Sequence, residues 1–169
     1  VALDLTMIYP EGNAIAESLP ETFVANLAKA GVRLTLEAKP MNEVLAQYYR
    51  QTERACDMIY LATNFDVVFD PAKTYNPDDA YQGENNRTGI ADAELYRLAV
   101  DMRKTEPGDA LGYCTKWVAF QQRWAEVLPA VPVYSGVYFD FFTSKLQNYA
   151  IGANISWAQA IVGAYLKEN

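Results

Sequence analysis

Near the amino terminus, two segments with the alternation of half-buried strands flank one run with the spacing of a helix. LDLTMIY, over residues 3–9, puts Leu3, Leu5 and Met7 on one face before a PEGN turn, and VRLTLEA, over 32–38, does the same with Val32, Leu34 and Leu36. Between them Ile15, Leu19, Phe23 and Leu27 recur at four-residue steps over 14–30, with Asn13 placed to cap the helix, Pro20 to kink it and Gly31 to stop it. Strands joined this tightly through a helix predict a parallel pair with a right-handed crossover. A second helix over 42–52, with Val44, Leu45 and Tyr48 on its inner face, leads into a third strand over 57–63, so the chain begins β-α-β-α-β. In such units ligands bind in the crevice outside the carboxyl ends of the strands, which makes residues 62–70 the first candidate site.

The stretch over 70–89 is rich in Pro, Asn, Asp and Gly and too long for a mere connector, so it reads as a surface loop. Helical spacing resumes over 90–103 with Ala91, Leu95, Leu98 and Met102. Tyr113, Trp117, Phe120, Trp124 and Leu128 then follow at steps of four, three, four and four, the strongest periodic signal in the chain. This stripe reads as a helix face buried on the sheet and ended by Pro129. Residues 131–142 have strand composition with a turn at Ser135-Gly136, and 157–166 read as a helix. With 169 residues, about half of them apolar, the chain is long enough for one compact domain and short for two. The expected fold class is α/β, with a mixed sheet flanked by helices and residues 1–169 as a single domain.

Composition removes several functions. Fourteen basic against twenty-one acidic residues give a net charge of −7, unsuited to neutralising nucleic-acid phosphates. No histidine occurs, which removes serine–histidine and cysteine–histidine nucleophile pairs and the commonest transition-metal ligand. Cys56 and Cys114 are too few for a zinc framework; they read as buried free thiols, or as one disulfide if their Cα atoms approach within about 7 Å. Asp78, Asp79 and Glu84 lack the spacing of a calcium-binding hand, and the glycosylation patterns at Asn86 and Asn154 are short enough to occur by chance. No cofactor and no metal site is expected. The opening VALDLTMIYP has neither a basic leader nor an initiator methionine, so the chain reads as an excised piece or a processed product.

Four strings in order, LDLTMIYPEGN, LAKAGVRLTLEA, CDMIYLATNFDVVFDP and WVAFQQRWAEVLPAVPVY, resemble the carboxy-terminal lobe of extracellular solute-binding proteins of the oligopeptide, dipeptide and nickel-binding class (family 5), the receptors of ATP-driven ABC importers. They are similar to that family's strand followed by Tyr-Pro, its Leu-x-x-x-Gly-Ile/Val helix-to-strand joint, its Gly-Trp-x-x-Asp-Tyr-x-Asp-Pro loop, and its long helix ending in Pro-x-x-Pro-Leu-Tyr. The likeness spans most of residues 1–142. It departs at Ala62-Thr63, where the family has Gly-Trp, and by one extra residue between Asp66 and Asp70; the segment after Phe142 matches none of the family's strings.

The resemblance implies a type II periplasmic-binding-protein-like lobe, one of two that close on a small solute, most of all a short peptide, and deliver it to a membrane permease. It implies a monomer outside the cytoplasmic membrane, periplasmic or a cell-surface lipoprotein, whose signal segment lies beyond this sequence, and no catalysis. Counted from Asp57, Asp66 matches the family's aspartate that pairs with the α-ammonium of a bound peptide, and Thr63, Asn64 and Phe65 would line the same crevice. The residues themselves leave other roles open. Asp66 is equally a turn former or helix cap, Phe65 equally core, and Asp70, immediately before Pro71, reads as a turn former. Two further functions stay in view: a hydrolase using Asp66 and Asp70 as an acid and base pair, as in glycoside hydrolysis, and a structural or adhesion module.

Overall fold

The computed structural model describes residues 3–12, 14–63, 70–80, 85–136, 139–152 and 155–168, and they group into two units, 1–130 and 131–169. The first unit opens with β1 (Leu3–Pro10), α1 (Ala14–Lys29), β2 (Val32–Lys39), α2 (Met41–Tyr48) and β3 (Met58–Ile59). The strands form a parallel sheet in the order β2-β1-β3. Leu3 stands opposite Val32 and Pro10 opposite Lys39, while Met7 and Ile8 face Met58 and Ile59. As the central strand, β1 buries successive residues, Met7 and Ile8, on opposite faces, whereas the edge strand β2 keeps its alternation, with Leu34 buried between exposed Arg33 and Thr35. Gly31 adopts φ +79°, the left-handed geometry that lets the chain turn from α1 straight into β2. The expected cap Asn13 lies outside the described residues, as do the side chains of Leu19 and Pro20.

The third strand is shorter than its composition predicts. Beyond Met58–Ile59 only flanking bonds extend it, Asp57 N to Thr6 O at 3.0 Å and Tyr60 N to Ile8 O at 2.9 Å. The next donor due from β1 is Pro10, which has no N–H, so the ladder stops there. The second helix also ends early, at Tyr48. Arg50 is left-handed at φ 55°, and the Arg54 guanidinium donates to the exposed carbonyls of Gln47 at 3.0 Å and Tyr48 at 2.9 Å.

The rest of this unit is helical: α3 (Pro71–Thr74), a 3₁₀ turn at Pro77–Asp79, α4 (Ala93–Arg103) and α5 (Ala110–Val127). Aspartate caps set where the long helices begin: Asp92 accepts from Leu95 N at 2.7 Å and Asp109 from Gly112 N at 2.9 Å. The helix expected from residue 90 therefore starts at Ala93. The aromatic stripe of α5 packs on α3 and α4 instead of the expected sheet. Phe120 joins Ala72, Tyr75, Leu95, Ala99 and Met102 in one buried cluster, flanked by Trp117 and Trp124. The Trp124 indole donates to the Tyr75 hydroxyl at 2.6 Å, satisfying both polar tips within the apolar surroundings. The reason lies in connectivity, since the short TEPGD link folds α5 back onto α4. Only the middle of the stripe is buried, and Tyr113 and Leu128 at its ends are exposed. Both cysteines are free; Cys56 is half-buried, but Cys114 is exposed, contrary to the expectation of buried thiols.

In the second unit β4 (Leu146–Gln147) pairs antiparallel with β5 (Tyr165–Leu166), around α6 (Trp157–Val162). Ser156 and Gln159 close α6 with a capping box: Gln159 N donates to Ser156 Oγ at 3.3 Å and Ser156 N to Gln159 Oε1 at 2.8 Å. The helix expected to reach 166 stops at Val162, because Tyr165 and Leu166 enter the ladder. The single mixed sheet expected from sequence is, among the described residues, a parallel sheet and this separate antiparallel pair. The strand expected over 131–142 is irregular where described, with Phe141 94% exposed. Strand composition reports a fit to a pleated, half-buried surface, and without a ladder partner it does not make a strand.

Phe120→Ala is expected to cost about 3–5 kcal/mol by leaving a cavity in the α3–α4–α5 cluster, whereas Tyr113→Ala at the exposed end of the same stripe should change stability by about 0.5 kcal/mol. Urea unfolding of the two variants checks this, and equal losses would contradict the packing.

Candidate ligand-binding site

Three parallel strands put their carboxyl ends on one edge of the sheet, and the chain leaving β3 emerges there. Thr63, the last described residue of this exit, is exposed. Asn64, Phe65 and Asp66 lie outside the described residues. Both flanks of that stretch are fixed: on one side by the bond from Tyr60 to Ile8, on the other by Asp70. The Asp70 carboxylate accepts from Ala72 N at 3.2 Å, capping α3, and from Arg103 Nε at 2.9 Å to Oδ1 and 3.1 Å to Oδ2. Arg103 Nη2 donates to Oδ2 as well, completing a two-pronged pair with the end of α4.

Asp70, read from sequence as a turn former, is the N-cap of α3, with an ion pair added. The Arg103 hydrogen bond, more than any other cause, holds its carboxyl below the ordinary carboxylate range. A carboxylate this committed is a poor proton donor near neutral pH, so in an acid and base pair it is unsuited to the acid role.

The loop that follows is stapled at its far end in the same way. Asp92, besides capping α4, accepts from Arg123 Nη2 at 2.6 Å and Nε at 3.2 Å, and Arg123 also donates to Glu126 at 2.9 Å. The Arg123 hydrogen bond, followed by that from Leu95 N, lowers the Asp92 pKa. Asn86 closes the interior of the loop: fully buried, it donates to Asn76 O at 3.0 Å and Ile90 O at 2.8 Å and accepts from Thr88 Oγ1 at 2.9 Å and Gly89 N at 3.3 Å. The glycosylation pattern at Asn86 therefore marks a structural amide, whose nitrogen has no room for a glycan in the fold. Asn154 lies outside the described residues, as does Glu84; Asp79 accepts from Asn85 N and Asn86 N. Arg54 donates to the Arg87 carbonyl, and the Arg87 guanidinium lies 4.4 Å from the Tyr49 ring centroid, tying the loop to the end of α2.

Sequence reasoning missed Arg103, Arg123 and Asn86 as organisers of this region. The Asp-Pro dipeptide and the aspartate before α4 were signals for the caps, but nothing local pairs residues more than thirty positions apart. Two surface depressions lie elsewhere. One of about 440 Å³ sits where α4 meets α5, beside Met102, Asp109 and Cys114, and one of about 260 Å³ lies among Val24, Ala28 and Val32; neither is lined by residues 60–63 or Asp70.

No family profile and no curated protein matches the chain. Solved structures do match its fold. The oligopeptide-binding protein AppA from Bacillus subtilis, in complex with a nonapeptide, aligns over 98% of this chain and 32% of its own at 15% identity, with a TM-score of 0.68. The ABC transporter-associated periplasmic binding protein DppA from Helicobacter pylori, in complex with the peptide STSA, aligns over 99% of this chain and 32% of its own at 13% identity and a TM-score of 0.65. A nickel ABC transporter structure from Bacillus halodurans aligns over 75% of this chain and 26% of its own, at 19% identity and 0.55. The chain spans about a third of the length of the two peptide complexes. The likeness is one of fold: this is the α/β architecture of a type II periplasmic binding protein, as the sequence strings implied.

Two outcomes are expected. Asn86→Ala should lower stability by about 1–3 kcal/mol in urea unfolding, since it strands buried partners. Asp70 and Asp92 have folded pKa values below those of the unfolded chain, so between the two the unfolded state binds more protons. Their stabilisation is then complete above about pH 5 and is lost as pH falls through about 4 and below. Unfolding midpoints measured from pH 7 to 3 should show this loss, and Asp70→Asn should flatten it.

Proposed function

We propose that this chain is one lobe of a two-lobed solute-binding protein that captures short peptides outside the cytoplasmic membrane and passes them to the permease of an ABC importer. The observation that carries the reading is the near-complete alignment with two solved peptide complexes, on a parallel sheet whose third strand, Met58–Ile59, ends at the shared carboxyl edge. Solute binding without catalysis suits a chain with no histidine and with Asp70 already paired.

On this reading Asp66 receives the α-ammonium of the peptide, while Thr63, Asn64 and Phe65 line the crevice beside it. A carboxylate and an amine desolvated together form a charge-assisted hydrogen bond stronger than any surface pair. Closure of a second lobe supplies that desolvation. A whole receptor of micromolar affinity holds about −8 kcal/mol, and a lobe with half the contacts falls to about millimolar.

The test is an NMR titration of the ¹⁵N-labelled chain with a mixture of short peptides, and with the same peptides acetylated at the amino terminus. Shifts clustered on residues 62–70, lost on acetylation and in Asp66→Ala, are expected. Shifts that survive acetylation would remove Asp66 from the amine role, and none with either set would count against peptide capture by this lobe.

A further inference from the structure

We infer that Arg54 and Arg87 form a binding site for a small oxyanion, phosphate or carboxylate in chemistry, with Arg50 as a third positive charge beside them. In a parallel sheet the helix after β2 returns the chain to the opposite edge before β3 begins. Arg50 and Arg54, between α2 and Met58, therefore stand toward the amino ends of the strands, away from the carboxyl edge of the proposed crevice. Arg87 joins them from the loop after the 3₁₀ turn, where its carbonyl accepts from Arg54 Nη2. The site is thus separate from the peptide reading and does not depend on it.

Arg33, Arg97, Arg103 and Arg123 each meet a carboxylate. Arg54 and Arg87 meet none among the described residues, and their contacts are with neutral groups. Arg54 donates from Nε to Gln47 O at 3.0 Å and from Nη2 to Tyr48 O at 2.9 Å, and none of its bonds uses Nη1. The Arg87 guanidinium carbon lies 4.4 Å from the Tyr49 ring centroid and 5.6 Å from that of Tyr48, and its buried Nε has no hydrogen-bond partner. Arg50 Nη2 fills the space that a Cβ on Gly89 would take, two residues along from Arg87.

Carbonyls and ring faces hold these guanidinium groups in place without cancelling their charge. All three side chains are half-buried, so like charges are gathered where water screens them less than at an open surface. Burial, and after it the charge of Arg50, lowers the Arg54 pKa. What this arrangement lacks is a counter-charge, and a guanidinium presents donors in a fork that fits an anion with two or more oxygens. Because the groups are already ordered, such an anion binds with little further loss of side-chain freedom. The net charge of −7 repels anions from the chain as a whole, so binding here has to come from the local cluster.

The experiment is a ¹⁵N NMR titration of the chain with sodium phosphate, and separately with sodium acetate, at ionic strength held constant with sodium chloride. Backbone amides and arginine Nε–H signals are both read. Saturable shifts confined to residues 48–55 and 86–90 are expected, with a dissociation constant of about a millimolar. Arg87→Gln should weaken binding roughly tenfold, the scale of one charge-assisted hydrogen bond, and Arg87→Lys, which keeps the charge without the fork, should recover part of it. Arg97→Gln, which removes an arginine already paired with Glu94, should leave binding unchanged. A response to phosphate alone assigns the site to phosphoryl groups, to acetate alone to carboxylates, and to both to oxyanions in general. Shifts that rise linearly without saturating, or that are as large at Arg97 and Arg103, overturn the proposal, as does undiminished binding by Arg87→Gln. Binding that appears only in Glu84→Gln overturns it too, because the charge would then be met within the chain.

Discussion

The parallel pairing of β1 with β2 is the constraint from which the first unit follows. Parallel strands cannot be joined by a tight turn, so the chain must cross back through a helix each time, and every strand then ends on the same edge. Eight residues of β1 pair with β2, from Leu3 to Pro10, and the short β3 is added on the other side of β1. That leaves β1 with neighbours on both flanks and with Met7 and Ile8 buried on opposite faces. The residue that ends the ladder is Pro10, and its missing N–H is what frees the chain after Tyr60 to leave the sheet as a loop at the carboxyl edge. One imino acid therefore decides where ordered backbone pairing gives way to side-chain control.

Beyond that point the chain satisfies its polar groups differently. Among the described residues of 70–92 there is no ladder, so buried backbone donors and acceptors there need side chains. Asn86 takes two carbonyls and gives its own oxygen to two donors, doing at one buried position what a strand partner does along an edge. Asp70 and Asp92 each combine a helix cap with an arginine pair, so each fixes a backbone turn and a tertiary contact with one carboxylate. Exposed pairs alone contribute little. A pair whose carboxylate also caps a helix is more effective, because the cap has already ordered the side chain whose entropy the pair would otherwise cost.

Much of this was legible in the sequence, and the limits are physical. Period-two alternation located β1 and β2, and the four-residue steps located α1 and α5, because those periods are set by the backbone itself. Periodicity also named the buried side of α5, but not its partner: Phe120 clusters with Leu95 and Ala99 of α4 because the intervening link is short, which is a fact about connection length. Composition failed over 131–142, where Val, Tyr and Phe suggest a strand but the described residues are irregular. The arginines were illegible for a different reason. Nothing near Arg103 in sequence marks it as the partner of Asp70, and nothing near Asn86 distinguishes a buried amide from a glycan acceptor.

On the proposed reading, the Asp66 carboxylate has to be considered with its water. Left open to solvent, Asp66 would meet a peptide amine at high dielectric, where such a pair is worth at most about 1 kcal/mol and is weakened by salt. The net charge of −7 helps a cationic group approach, but its influence fades over roughly 8 Å at physiological ionic strength and cannot tell an α-amine from a lysine. Selectivity for the amine therefore requires two things at once: exclusion of water, which one face of a crevice cannot provide, and a carboxylate held where the amine must come. The first belongs to whatever closes over the strand ends. The second, on the proposed reading, belongs to this chain.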